Sequence, residues 1–412
     1  MNKTPYCRLL LAINLGVGTS LAPITLLIYG LSQFNIIRLV GKAQATETFG
    51  LIVGIVSIAA FFLMPCGGYL SDKTKSSLGR RRFWIIFGSI AGSIAMLFFA
   101  YSTTLFQLAI AWIAIKFFYG VVTVTCLALI PEQVDISHYG RVSGLISVSS
   151  PFCIMLMTMI IMGYFSDVNV QYKIIMIAIV QLICALVAAL LIKDPLMVGS
   201  TTEPIFTKRY FYPSFKKYPA FSWAFLTKLS INLTSAGLVM MPLFYISRFK
   251  LEEKQVFELS ALMSSGIIIL IASGLLGGYL SDRIRKQKIF IIFSAVMISI
   301  SMCIFAFSTS LTMIILGQLL LLLGMGLFNA VDTALINRIL PSQDNYAKDI
   351  SIINLTHHIA TSLMSFSAPY LIFLGVTILN DDGYTLFFLT LAVFSLLTVL
   401  AVIHIPEIVK RN

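Results

Sequence analysis

The sequence predicts an all-α, polytopic membrane protein, with twelve transmembrane helices in two pseudo-symmetric halves of six. Three observations predict it. The chain is 58% hydrophobic and only 11% charged, with a mean hydropathy of +0.94, a composition that 412 residues of soluble globular domain could not keep in water. Its apolar residues fall in runs of about 20, the length that the hydrocarbon core of a bilayer requires of a helix. Helix is the form expected there, because lipid offers no partners to free backbone N–H and C=O groups. Finally, the string Gly-Gly-Tyr-Leu-Ser-Asp stands at 67–72 and again at 277–282, 210 residues on, so the second half repeats the first.

The first run, 9–31, is longer than a signal-peptide core, and no small-residue cleavage site follows it, so it is expected to stay as a helix. Runs at 49–70, 83–101, 105–130, 142–163 and 172–192 complete the first half. A long polar stretch, 193–220, then separates two expected domains, 1–192 and 221–412. It interleaves Lys208, Arg209, Lys216 and Lys217 with aromatic residues, which suits either an anionic membrane surface or a solvated linker. Runs at 221–246, 256–280, 289–308, 311–339, 350–375 and 384–405 form the second half. A further echo links 99–106 to 305–312 at an offset of 206, so the first copy carries four extra residues between its aspartate and the next helix. Pro23, Pro65, Pro151, Pro242, Pro369 and paired glycines such as Gly324 and Gly326 inside the runs permit kinks and close helix contacts.

The net charge of +12 does not gather into a patch that would hold nucleic acid, and none is expected as a partner; the cations lie in alternate loops. Of 29 Lys and Arg, 21 fall on the side that holds both termini. Arg38, Lys42, Lys173, Arg248, Lys250 and Lys254 are expected in loops on the other side, and Lys116 and Lys228 inside helices. The positive-inside rule then expects a protein of the cytoplasmic membrane with both termini in the cytoplasm. Six cysteines without ligand or redox spacing imply neither a disulfide framework nor a metal site. No cofactor is expected, no glycine loop for a nucleotide is present, and the expected state is a monomer.

Gly68-Tyr-Leu-Ser-Asp72 followed by Gly79-Arg80-Arg81-Arg82 resembles the signature of the major facilitator superfamily between helices 2 and 3. The lengthened spacing resembles the sucrose-transporter-like and glycoside-pentoside-hexuronide branches, whereas the second copy, with Asp282, Arg283 and Arg285, keeps the short one. Leu129 to Asp135 with Gly140-Arg141, and Leu340-Pro341 with Ala347-Lys348-Asp349, resemble bacterial relatives of the sucrose symporters. The resemblance implies the major facilitator fold, in which parallel repeats are related by an axis along the membrane normal. It also implies an inner gate, with Asp72 facing the start of helix 11 near Lys348 and Asp282 facing the start of helix 5 near Arg141. Arg80 and Arg283 stand beside the two aspartates. A carboxylate there accepts from the free N–H groups of a helix start and is favoured by its dipole. Simple anchoring of the loops is the alternative reading of these charges.

An ionisable side chain inside the apolar span costs on the order of 3 kcal/mol, so each needs a partner, a wet cavity or an escape to the interface. Asp332 is the one carboxylate of 17 well inside a run, and Lys116, Lys228, His357 and His358 also lie inside, with Asn14 and Asn329 among the neutral polar residues. The resemblance implies that helices 1, 4, 7 and 10 line a central cavity; they carry Asn14, Lys116, Lys228 and Asp332. At about 1.5 Å of rise per residue, Lys228 and Asp332 are level, as a structural ion pair or as a proton or substrate switch. Lys116 lies near mid-membrane with no acid at its depth, which makes it a candidate to meet a substrate. Adjacent His357 and His358 point about 100° apart, so at most one faces the cavity.

The function expected is secondary active transport of a small solute, a sugar, glycoside or organic anion, by alternating access and coupled to protons. Exporters of drug-like molecules are the alternative, and a non-transporting sensor or assembly factor a more distant one. The absence of any acid in 49–70 argues against the sodium coupling of melibiose-type symporters, and Ser150-Pro151 replaces the Gly-Pro element of drug-proton antiporters. An enzyme is not expected, since one buried carboxylate beside two histidines is thin support for membrane-embedded catalysis.

Overall fold

The computed structural model describes residues 4–74, 76–135, 138–193, 219–284, 286–339 and 346–405. The expected linker falls almost wholly outside them. Every regular element among the described residues is helical. Twelve helices are long and apolar enough to cross a membrane: α1 Tyr6–Val40, α2 Lys42–Lys73, α3 Arg80–Ala100, α4 Leu105–Gln133, α5 Arg141–Tyr164, α6 Val170–Leu191, α7 Pro219–Arg248, α8 Glu253–Ser281, α9 Gln287–Ala306, α10 Leu311–Asp332, α11 Leu355–Leu379 and α12 Tyr384–Ile403. Each of the twelve expected runs is thus a helix.

Expected and observed bounds differ most in α1. Its α-helix passes at Leu27–Leu31 into a π turn, where Tyr29 and Gly30 leave helical geometry and Gly30 takes φ 135°, then resumes at Ser32 and stops at Gly41. Only glycine adopts that φ without strain. Hydropathy reads the resumed part as loop because it carries Gln33 and Asn35. Both are buried and bonded, Gln33 donating to the Ile28 carbonyl at 2.7 Å and Asn35 to that of Phe99 at 2.9 Å.

The chain forms two compact units, Met1–Thr207 with Glu252–Ser264, and Lys208–Leu251 with Ser265–Asn412. In the first, α3 packs on α4 and α6, α1 on α5 and α6, and α2 on α4; in the second, α9 packs on α10 and α12, α7 on α11 and α12, and α8 on α10. Each of these pairings recurs six helices later. Leu9, Ile13 and Val17 of α1 meet Val122, Cys126 and Leu129 of α4 and the small residues Ala185, Ala188 and Ala189 of α6 in the core of the first unit. Small residues matter because lipid supplies no hydrophobic drive between helices, and association rests on close packing. At the α8 crossing of α10, a Cβ on Gly326 would stand 2.2 Å from the Leu270 carbonyl oxygen. Gly120, which is 206 residues earlier, makes the same approach of α4 to α2, where a Cβ would come within 2.5 Å of the Met64 sulfur. All six cysteines are free.

The end of each unit near the repeated hexapeptide is called its motif end, and the other its far end. Far-end cations correct the expectation of loop residues: Arg38, Lys42, Lys173, Arg248 and Lys254 all lie within helices, and Lys250 alone stays between them. For two of them the physical reason is that a helix C-terminus exposes carbonyls that a cation satisfies. Arg38 donates to the Ser102 carbonyl at 2.9 Å, at the C-terminal end of α3. Arg248, which is 210 residues on, donates to the Ala306 carbonyl at 2.7 Å, at the end of α9.

Candidate functional site

The helix of α10 continues past Asp332 to Ile339, and Asp332 itself is 1% exposed. Lys228 of α7 places its Nζ 2.7 Å from Asp332 Oδ2, within the second unit. Phe328, one helical turn before Asp332, lies on the same face of α10, and its ring centroid is 5.4 Å from that Nζ. The ammonium therefore meets a carboxylate and an aromatic face supplied by one helix. A pair this dry is strongly coupled: removing either partner strands the other in an apolar setting. Protonation of the aspartate neutralises it and releases the lysine, so the pair has two electrically distinct states.

One turn beyond Lys228, Asn232 donates its amide to the Thr356 hydroxyl of α11 at 2.8 Å. The first unit has a parallel contact between α1 and α5, the Ser149 hydroxyl donating to the Asn14 side-chain oxygen while the Asn14 amide donates to the Leu10 carbonyl at 2.7 Å. Asn329 is exposed on α10, and His357 is exposed on α11 with its ring 5.6 Å from that of His358. Lys116 of α4 is half-buried and has no hydrogen-bond or ion-pair partner among the described residues. Of the expected inner residues, the structure thus brings Lys228 and Asp332 together and leaves Lys116 unpaired.

At the motif end of the first unit, three helices are tied by charge. Arg81, buried in the first turn of α3, donates to Asp72 Oδ1 at 2.7 Å, to Glu132 Oε1 at 2.6 Å and to the Ser71 hydroxyl at 2.8 Å. Arg80 reaches the same Glu132 oxygen at 2.5 Å. Cations at a helix N-terminus oppose the dipole, and the two carboxylates from α2 and α4 offset that cost. Asp72 and Arg80 are among the residues expected at a gate, and Arg81 is not. All three arginines stand together in sequence, and only packing decides which of them turns inward. Arg141 and Arg283 are exposed, and the side chains of Asp282 and Lys348 lie outside the described residues.

Residues 9–341, and again 257–412, match the sequence pattern of the Major Facilitator Superfamily. No curated protein sequence matches the chain. Among solved structures, the nucleoside transporter NupG is similar with a TM-score of 0.72 at 16% identity, over 99% of this chain and 100% of that one. A bacterial homolog of the human lysosomal transporter Spinster, inward-facing and occupied, gives 0.71 at 12% identity over 96% and 95%. A D-xylose-proton symporter gives 0.68 at 15% identity over 98% of both chains. At such identities the likeness is one of fold.

Proposed function

We propose that this chain, which belongs to the Major Facilitator Superfamily and is a multi-pass transporter of small solutes and not an enzyme, works by alternating access driven by the proton gradient, with Asp332 as proton carrier. The observation that carries this reading is the 2.7 Å contact of Lys228 with an aspartate that is 1% exposed. A buried carboxylate held by a lysine can exchange that lysine for a proton, and each exchange moves one charge between the two states. A D-xylose-proton symporter of similar fold supports proton coupling.

The solute class favoured is a sugar or glycoside, in keeping with the lengthened spacing of the first motif, which resembles the sucrose-like and glycoside branch, and a nucleoside transporter of similar fold extends it to nucleosides. Unpaired Lys116 extends that class to a uronide or another organic anion. Asn14, Asn329 and His357 supply neutral hydrogen-bonding groups to the site. The gate set is Asp72, Arg80, Arg141, Asp282, Arg283 and Lys348, to which Arg81 is added. Domains 1–192 and 221–412 are the rocking bodies, joined by 193–220 and seated in the cytoplasmic membrane as a monomer. The motif end faces the cytoplasm, since 21 of the 29 cations belong to that side.

Counterflow in proteoliposomes against sugars, nucleosides, glycosides, uronides and drug-like cations, with and without a pH gradient, tests this. A polyhydroxylated solute is expected to exchange, and to accumulate only with an inward proton gradient. Exchange of drug-like cations alone would point to an exporter instead.

A further inference from the structure

The far end of the first unit holds a charge that the transport reading leaves unused. Lys173, in the first turn of α6, is 0% exposed, and no carboxylate forms a salt bridge with it among the described residues. Its ammonium donates to the Ser166 carbonyl at 2.8 Å and the Val168 carbonyl at 2.6 Å, both in the loop between α5 and α6. It also lies 4.0 Å from the centroid of the Phe257 ring. An ammonium has three N–H groups, and two carbonyls with one aromatic face account for all three.

Phe257 belongs to Glu252–Ser264, the start of α8, which groups with the first unit although its sequence lies in the second half. The break in α1 makes its seat. A Cβ on Gly30 would stand 3.1 Å from the Phe257 ring, Phe34 packs on that ring at 5.2 Å, and the Ser260 hydroxyl donates to the Tyr29 carbonyl at 3.2 Å. Lys254 meets Asp167 at 2.8 Å, and the Ser166 hydroxyl donates to Glu258 at 3.3 Å, on the exposed rim.

We propose that Lys173 and Phe257 form a reversible seal at the far end, a latch that parts when α8 withdraws to admit solute from that side. The choice of a ring explains the reversibility. A buried carboxylate partner would leave two stranded charges on opening, whereas withdrawal of Phe257 leaves the ammonium its two carbonyls and admits water to the third N–H. A desolvated cation–π contact shifts an equilibrium by on the order of tenfold, enough to favour closure without locking it. Only the role of this opening in a transport cycle rests on the alternating-access reading. The contact itself is read without transport.

The test uses the full chain in proteoliposomes with Ser260→Cys as reporter, because residue 260 is 8% exposed against the π turn. Labelling by a membrane-impermeant maleimide is followed by mass spectrometry of the peptide that holds residue 260. Phe257→Leu is expected to raise the labelling rate on the order of tenfold, and Phe257→Tyr to leave it unchanged. Stepwise fluorination of Phe257, which drains the ring face while nearly keeping its shape, should raise the rate with each fluorine. An unchanged rate in Phe257→Leu, an equal rise in Phe257→Tyr, or indifference to fluorine would each overturn the latch and leave Lys173 as a staple of its own loop.

Discussion

The two units are built from one duplicated sequence, yet they handle charge in opposite ways. The second seals its buried charge inside, Lys228 against Asp332, whereas the first leaves Lys116 without an ion pair among the described residues and ties two carboxylates, Asp72 and Glu132, around Arg81 at the motif end. What the duplication preserved is backbone geometry: five helix pairings, a glycine crossing at an offset of 206 and an arginine on a helix C-terminus at an offset of 210. What diverged is the polar chemistry inside the span. Scaffold and site therefore answer to different constraints, and substitution can separate them.

The largest effect is expected from Lys228→Met, which strands Asp332. Thermal unfolding in detergent should show a loss of about 3 kcal/mol, and gradient-driven uptake should vanish. Adding Asp332→Leu should restore most of the stability and none of the coupling. A double variant that regains both would make the pair a structural fastener only.

Arg81→Met attacks the other unit. It leaves Asp72 and Glu132 facing each other without their shared cation, and a loss of about 2 kcal/mol is expected in the same unfolding measurement, reduced from the fully buried case because both carboxylates keep some water. Arg80→Ala, with Arg81 still in place, should cost less.

These two sites differ in how far the sequence exposed them. Depth along a helix follows from counting at 1.5 Å per residue, so Lys228 and Asp332 could be placed level before any contact was visible. Direction around the helix is decided by the neighbours, so Arg81 could not be told from Arg80 and Arg82. The fold class was legible because twelve apolar runs of bilayer length suit a membrane and little else. The extra turns of α1 were not, since buried Gln33 and Asn35 satisfy themselves on backbone carbonyls that sequence does not show. Lys173 reads as a loop cation for the same reason, since the Ser166 and Val168 carbonyls that hold it are not visible in sequence.

A smaller, selective effect is expected from Lys116→Gln. Uptake of an anionic solute should fall by about tenfold, the worth of one charge-assisted hydrogen bond, with a neutral sugar unaffected within about twofold. Equal loss for both solutes would remove Lys116 from substrate contact and assign it to packing.

The smallest effect compares the far-end arginines directly. Arg248 adds the Asp382 carboxylate, at 2.6 and 2.8 Å, to its carbonyl contacts, whereas Arg38 is exposed and bonds carbonyls alone. Arg248→Ala is expected to cost about 1 kcal/mol and Arg38→Ala about half that, by thermal unfolding. A reversed order would mean that the Asp382 pair adds nothing to the cap made by Arg248.

Proton entry into proteoliposomes that hold a trapped pH dye, triggered by a transported solute, tests the role of Asp332 most directly. The wild-type chain should acidify the lumen only when solute is added, and Asp332→Asn should still exchange solute while moving no protons. Solute uptake by the wild type without acidification, or equal acidification by Asp332→Asn, would contradict the account.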